Sequence, residues 1–170
     1  DGTREFIKKG PEFTVNIALI ENARPVLGVV HAPALKSAYW GSPLGAFAET
    51  GGSQPAAISC RRPPADGLVA FVSKSHKTPK VDEYLKQFTI KKEISASSSL
   101  KFCRLATGQA DIYPRFGRTM EWDTAAAHAV LAAAGGRVEK FDGAPLAYAK
   151  PGLENPGFVA FGLPPKNSGS

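Results

Sequence analysis

Two short stretches of this chain carry oxygen ligands in settings that suit phosphate chemistry. Asp1-Gly2-Thr3 can form a tight turn that brings a carboxylate, a hydroxyl and backbone N–H groups within a few ångströms, a set able to hold a phosphate beside a hard cation. Asp123 stands before the run Thr124 to Ala134, almost all Ala, Val and Leu, which Gly135-Gly136 closes. That places its carboxylate at a helix N-terminus, where the dipole favours negative charge and free N–H groups face an anion. Hydrolysis of a phosphate ester needs positive charge on the transferring oxygens, an aligned water and a stabilised leaving oxygen, and magnesium ions held by converging carboxylates meet all three needs. Both stretches are also open to purely structural use, because Asp-Gly is a common turn and Asp a common N-cap.

The elements that must position these groups follow from patterning. A helical turn over 4–9 precedes β-branched and apolar runs at 13–20 and 24–31, which read as an antiparallel hairpin, followed by short strands at 37–40 and 45–48. The segment 49–67, with Gly51-Gly52, Pro63-Pro64 and Asp66-Gly67, is looser. Beyond it strands and helices alternate: strand 68–72, helix 79–88, strand 89–94, helix 99–108, strand 111–116, the alanine-rich helix, and strands 137–141 and 157–161. Alternation of this kind predicts a layered α/β unit. The expected division is 1–58 as an antiparallel-sheet part, 59–67 as a linker, 68–163 as an α/β part and 164–170 as a tail.

The chain has 170 residues, room for one domain or a domain and part of another, and no apolar run long enough to cross a bilayer. Its net charge is +6 with pI near 9.4, but the basic residues are scattered and form no nucleic-acid module, which favours a small phosphorylated partner over a nucleic acid polymer. Cys60 and Cys103 match no metal spacing and read as buried thiols of a reducing compartment, and His31 and His128 make no zinc site. Asp111 reads as a turn residue; Glu5, Asp66, Asp82, Glu83 and Asp142 read as decoration of turns and helix faces. Trp122 reads as a packing residue that fixes the direction of Asp123, with Glu121 just behind it.

Taken together, Asp1-Gly2-Thr3 and Trp122-Asp123-Thr124-Ala125-Ala126 resemble the two C-terminal signatures of the inositol monophosphatase superfamily of magnesium-dependent, lithium-sensitive phosphatases. Those signatures read Asp-Pro-(Ile/Leu)-Asp-Gly-Thr and Trp-Asp-x-Ala-Ala-Gly; Ala127 stands here at the final glycine. The resemblance covers nearly the whole chain and implies an α/β fold with an α+β first part, a layered αβαβα sandwich represented here without its N-terminal part. It also implies two or more Mg2+ in the intact protein, with Asp1 and Asp123 sharing one ion. The ligands of the other, an earlier Asp, a backbone carbonyl and an upstream Glu, have no counterpart in this sequence, so the polypeptide alone is expected to bind metal weakly and hydrolyse slowly or not at all. Gly2 and Thr3 are implied to offer N–H groups to the substrate phosphate, and the Thr3 hydroxyl to orient the attacking water, giving Asp1 and Thr3 as catalytic residues.

Within that superfamily, Ser73-Lys-Ser-His76, Ser97 to Cys103, Asp111 to Phe116 and Lys150 to Phe158 look most like the bacterial 3'(2'),5'-bisphosphate nucleotidase branch. By that resemblance His76, Ser98, Ser99, Lys101, Arg115 and Asp123 contact the nucleotide or its phosphates. A second, uncleaved phosphate would need cations beyond the metals, for which Lys101 and Arg115 are suited. The implied reaction removes the 3'-phosphate of adenosine 3',5'-bisphosphate to give AMP and phosphate. The alternatives are inositol monophosphatase or fructose-1,6-bisphosphatase activity, or a non-catalytic nucleotide-binding module. A cytoplasmic location, with attachment to the inner membrane face as a variant, and a homodimer complete the expectations.

Overall fold

The structure is a computed structural model that describes residues 1–73, 78–96 and 99–164, and only the backbone of Arg4 and Ser73. A short helix α1 (Thr3–Ile7) precedes the strands β1 (Val15–Glu21), β2 (Arg24–Ala32), β3 (Ser37–Ser42), β4 (Gly45–Thr50) and β5 (Ala56–Ile58). These form an antiparallel meander in the order β1-β2-β3-β4-β5. The β1–β2 turn is made by Asn22 and Ala23, both with positive φ, the twist that a two-residue hairpin loop requires.

The rest of the chain builds β6 (Leu68–Ser73), α2 (Pro79–Leu85), β7 (Ile90–Ala96), α3 (Leu100–Ala106), β8 (Ile112–Arg115), β9 (Thr119–Met120), α4 (Glu121–Ala133), β10 (Arg137–Lys140), β11 (Glu154–Asn155) and β12 (Phe158–Phe161). The second sheet runs β10-β12-β8-β6-β7, with β6 parallel to both β7 and β8; β9 and β11 form a separate two-stranded ribbon. Four elements depart from expectation. The segment expected to be loose contains β5, the ribbon strands are unforeseen, and α4 starts at Glu121 instead of after Asp123. Strands of two or three residues carry no periodicity of their own and exist here because a neighbour offers a free edge.

α3 and α4 lie between the sheets, and α2 covers the far face of the second sheet. One apolar cluster joins Val30 and Ala46 of the first sheet to Val130 and Leu131 of α4, Leu105 of α3 and Phe71, Tyr113 and Phe158 of the second sheet. A second cluster, with Val81 and Leu85 of α2 over Val72, Ile112 and Val159, fills the outer layer. The described layers are therefore sheet, helices, sheet, helix. The opposite face of the first sheet presents Val15, Ile17, Leu19 and Leu27 to solvent.

α4 is buried from Thr124 to Leu131, as an all-apolar helix in a middle layer must be. It meets the first sheet backbone to backbone: a Cβ on Gly28 would lie 2.1 Å from the Ala126 carbonyl oxygen, and one on Gly41 2.6 Å from Val130 Cα. Gly28 and Gly41 are register partners on β2 and β3, and Ala126 and Val130 lie one turn apart on the helix face they receive. Ala127, at the family's glycine position, is simply part of the core. Cys60 and Cys103 are both free and buried, and burial pushes the Cys60 thiol up to about 11 and Cys103 higher still. Asp111, in the bend before β8, is also a buried carboxylate: it takes two hydrogen bonds from Arg61, at 2.9 and 2.8 Å, and one from the Val69 N–H.

Candidate active site

The parallel pairings align three strand ends. Ser73 faces Ala96 and Ala70 faces Ile112, so β6, β7 and β8 finish along one edge of the second sheet, at Ser73, Ala96 and Arg115. α3 follows β7 and α4 follows β8 and β9, and each starts beyond this edge and runs back across the sheet. Open α/β sheets bind ligands beyond the carboxyl ends of their strands, where helix N-termini also point. The stretches around Ser73, Ser99 and Arg115, far apart in sequence, thus meet at one edge. His76 and Ser98 lie outside the described residues.

Asp1 reaches that edge through long-range bonds. Its Oδ2 accepts the Ser99 N–H at 3.1 Å, its main-chain nitrogen donates to the Thr14 carbonyl at 2.7 Å, and its own carbonyl accepts the Thr14 N–H at 2.9 Å. The Ser99 hydroxyl, 2% exposed, meets Thr14 Oγ1 at 2.9 Å and donates to Asn16 Oδ1 at 3.0 Å. Arg104 on α3 adds an ion pair to Glu12 at 2.8 Å. The first fourteen residues are thereby fastened to α3, and Ser99 spends its N–H on Asp1 and turns its hydroxyl inward. Gly2 is required by this packing: its φ is +91°, and a Cβ there would lie 2.9 Å from Phe13 Cα. Thr3 is exposed at the start of α1.

Asp123 is held locally. It sits in the first turn of α4, half-buried, and its Oδ2 accepts the Met120 N–H at 2.8 Å, the reach-back of a capping box. Trp122 beside it is 59% exposed, so it packs far less than expected and does not orient Asp123 from the core. The buried neighbour is Glu121, whose carboxylate takes the N–H groups of Ala149 and Lys150 and the Lys150 ammonium. Burial pushes the Glu121 carboxyl upward, but Lys150 and the two N–H groups outweigh it and hold the group below its ordinary range.

A polar chain runs behind this turn. The Thr124 hydroxyl donates to the Glu121 carbonyl, so it accepts from Tyr148 at 3.2 Å and from Asn155 Nδ2 at 3.0 Å. With its hydrogen given to Thr124, the Tyr148 oxygen must accept from His128 Nδ1 at 2.9 Å, which fixes the imidazole tautomer. Burial depresses the His128 imidazole to about 4, so it is neutral here. Lys150, Asn155, Tyr148 and Thr124 were not identified as site-building from sequence; only the likeness of the 150–158 stretch to one branch pointed near them.

The two expected cations converge on one ring. Lys101 is buried, with Nζ 4.9 Å from the Tyr113 ring centroid, and the Arg115 side chain hydrogen-bonds the Tyr113 hydroxyl, whose acidity burial suppresses.

The donor chemistry fits a hard divalent cation. Both carboxylates belong to the end of the molecule where α3 and α4 begin, and Asp123 Oδ1 has no hydrogen-bond partner among the described residues. Among those residues no group of three or more His, Cys, Asp or Glu is arranged to hold a metal ion, so the two aspartates can supply only part of a coordination shell. Among the described residues no helix is long and apolar enough to cross a membrane.

Comparison with known proteins agrees with this geometry. A family model described as the inositol monophosphatase family matches residues 1–159. The chain is 48% identical over 160 residues to the 3'(2'),5'-bisphosphate nucleotidase CysQ of Salmonella typhimurium, covering 93% of this chain and 63% of that protein. It is 43% identical to the Buchnera aphidicola nucleotidase of the same name, covering 96% of this chain and 62% of the relative. The chain thus spans less than two thirds of the length of these curated relatives. The crystal structure of CysQ from Bacteroides thetaiotaomicron superposes with a TM-score of 0.85 at 39% identity, covering 95% of this chain and 67% of that one.

Proposed function

The chain belongs to the inositol monophosphatase family, and from that premise we propose that it carries half of the catalytic apparatus of a magnesium-dependent phosphomonoesterase that removes the 3'-phosphate of adenosine 3',5'-bisphosphate. What supports the reading is that each motif stands at the start of a helix following this edge of the second sheet: Asp1 is bonded to Ser99, just before α3, and Asp123 lies in the first turn of α4.

Asp1 and Asp123 would hold the magnesium ion, which when bound supplies positive charge to the phosphate oxygens and an acidic water. The chain's own residues do the rest. Gly2 and Thr3, ahead of the first carbonyls of α1, offer N–H groups that no earlier turn of helix can use. The exposed Thr3 hydroxyl orients the attacking water; its oxygen bonds to phosphorus, the bond to the 3'-oxygen breaks, and that oxygen takes a proton, leaving AMP and inorganic phosphate. Lys101 and Arg115, gathered on Tyr113, receive the 5'-phosphate that is not cleaved. The named activity of relatives up to 48% identical supports this substrate over inositol phosphates or fructose 1,6-bisphosphate.

The test is phosphate release with Mg2+ from adenosine 3',5'-bisphosphate, inositol 1-phosphate and fructose 1,6-bisphosphate, using the protein as its gene encodes it. A strong preference for the bisphosphorylated nucleotide is expected. Preference for either other substrate replaces this reading with the corresponding phosphatase, and nucleotide binding without turnover replaces it with a binding module.

A further inference from the structure

The first turn of α4 is tied to the 147–155 segment through Met120, Glu121 and Thr124. Glu121, 8% exposed, accepts hydrogen bonds from the Ala149 N–H at 2.7 Å, the Lys150 N–H at 3.0 Å and Lys150 Nζ at 2.6 Å. The same ammonium donates to Asn155 Oδ1 at 3.3 Å, and Asn155 Nδ2 donates to the Met120 carbonyl at 2.9 Å and to Thr124. Thr124 closes the loop on the Glu121 carbonyl at 3.2 Å. Residues 120, 121 and 124 are thus each clamped by the 147–155 strap, and Asp123 lies between them with its Oδ2 on the Met120 N–H.

As a stabilising device this is an inefficient choice. Desolvating a carboxylate and an ammonium costs about as much as their attraction returns, and a packed apolar pair would hold strap to helix at least as firmly. What charged, fully hydrogen-bonded groups provide beyond adhesion is direction, as outer partners do for ligands at metal centres.

We propose that Glu121, gripped by Lys150 and the 149–150 backbone, is a positioning residue that aims the Asp123 carboxylate at a divalent cation. The inference rests on the reading of Asp123 as a metal ligand and adds the strap that orients it. It also gives the 150–155 segment a task, since Lys150 and Asn155 meet only structural partners in the fold.

The experiment uses the protein as its gene encodes it. Glu121→Gln keeps the shape of the side chain, removes its charge and sets an amide against the N–H donors. Magnesium affinity is measured directly by titration calorimetry and, separately, as the Mg2+ concentration for half-maximal phosphate release; thermal unfolding in EDTA reports the fold. A loss of magnesium affinity of about 10- to 100-fold by both measures is expected, with KM for the phosphate ester at saturating Mg2+ left at the wild-type value. A purely structural role would lower the EDTA melting temperature and leave magnesium affinity below that temperature untouched, which would overturn the proposal. Should Glu121→Gln not fold, Lys150→Gln carries the same test, because it retains the carboxylate and both backbone bonds. Lys150→Arg, which restores the charge, is expected to recover most of the affinity, and failure to recover counts against the clamp. If the wild-type protein binds no Mg2+, the phosphatase reading itself falls; if it binds and the folded variants match it, only the clamp falls.

Discussion

The two aspartates are held in opposite ways. Asp123 is fixed by its own helix turn, through an N–H three residues away, with a strap locking that turn from outside. Asp1 is fixed by an N–H ninety-eight positions along the chain and by a segment that depends on Thr14, Ser99 and Arg104 for its place. One carboxylate is therefore as ordered as the helix that bears it, and the other only as ordered as the tertiary contacts beneath it. A shared cation would couple the two, so damage to either holding mechanism should appear in metal binding, but only damage to Asp1's should also loosen a segment of the fold.

The sharpest break comes from Asp123→Asn. It is expected to lower Mg2+-dependent phosphate release by more than about 100-fold, beyond the range for outer partners, while unfolding midpoints fall by about 1 kcal/mol for the weakened cap. Comparable stability loss with intact turnover would remove Asp123 from the site.

Acid should separate the two sides next. The buried His128 imidazole of α4 takes a proton near 6.5 in the unfolded chain and only near 4 in the fold. Protonation therefore favours unfolding: stability is complete above pH 6.5 and drains away as the pH falls toward 4, by on the order of 3 kcal/mol. Urea midpoints measured from pH 7.5 to 4.5 should fall less steeply in His128→Gln than in the wild type.

Ser99→Ala addresses the other anchor. Loss of the hydroxyl bonds to Thr14 and Asn16 should cost about 1–2 kcal/mol and speed proteolysis within the first fourteen residues, an effect Asp123→Asn should not produce. The smallest change is expected from Glu154→Gln, which removes an exposed pair with Arg118 on the β9–β11 ribbon; a shift within about 0.5 kcal/mol is expected in midpoint, and a larger one would mean that the ribbon bears load for the α4 turn.

The same contrast decides what the sequence made legible. The alanine-rich helix was visible because its composition and its glycine stop are local properties, and its start lies three residues earlier than expected because Glu121, Trp122 and Asp123 fall outside the alanine-rich run that marked it. The Asp-Gly-Thr turn was visible as a ligand set, but nothing local names Ser99 as its partner. The buried pairing of Asp111, read from sequence only as a turn residue, was hidden for the same reason: its partner Arg61 lies fifty residues away. Trp122 was assigned to the core on its bulk alone, whereas its place beside a buried Glu121 leaves it facing outward. Residue type suggested which chemistry to look for; long-range pairing, invisible in sequence, decides where each of these groups is held.

Gly28 and Gly41 give the helix that bears Asp123 a bare seat, with no cushion of side chains between its carbonyls and the strands beneath. The contact at Ala126 lies three residues from Asp123, less than one turn, so it behaves as a fulcrum close to the working end of a lever. A single methyl added under that point would tilt the start of the helix without touching Asp123, so the direction of that carboxylate depends on two featureless positions on the sheet.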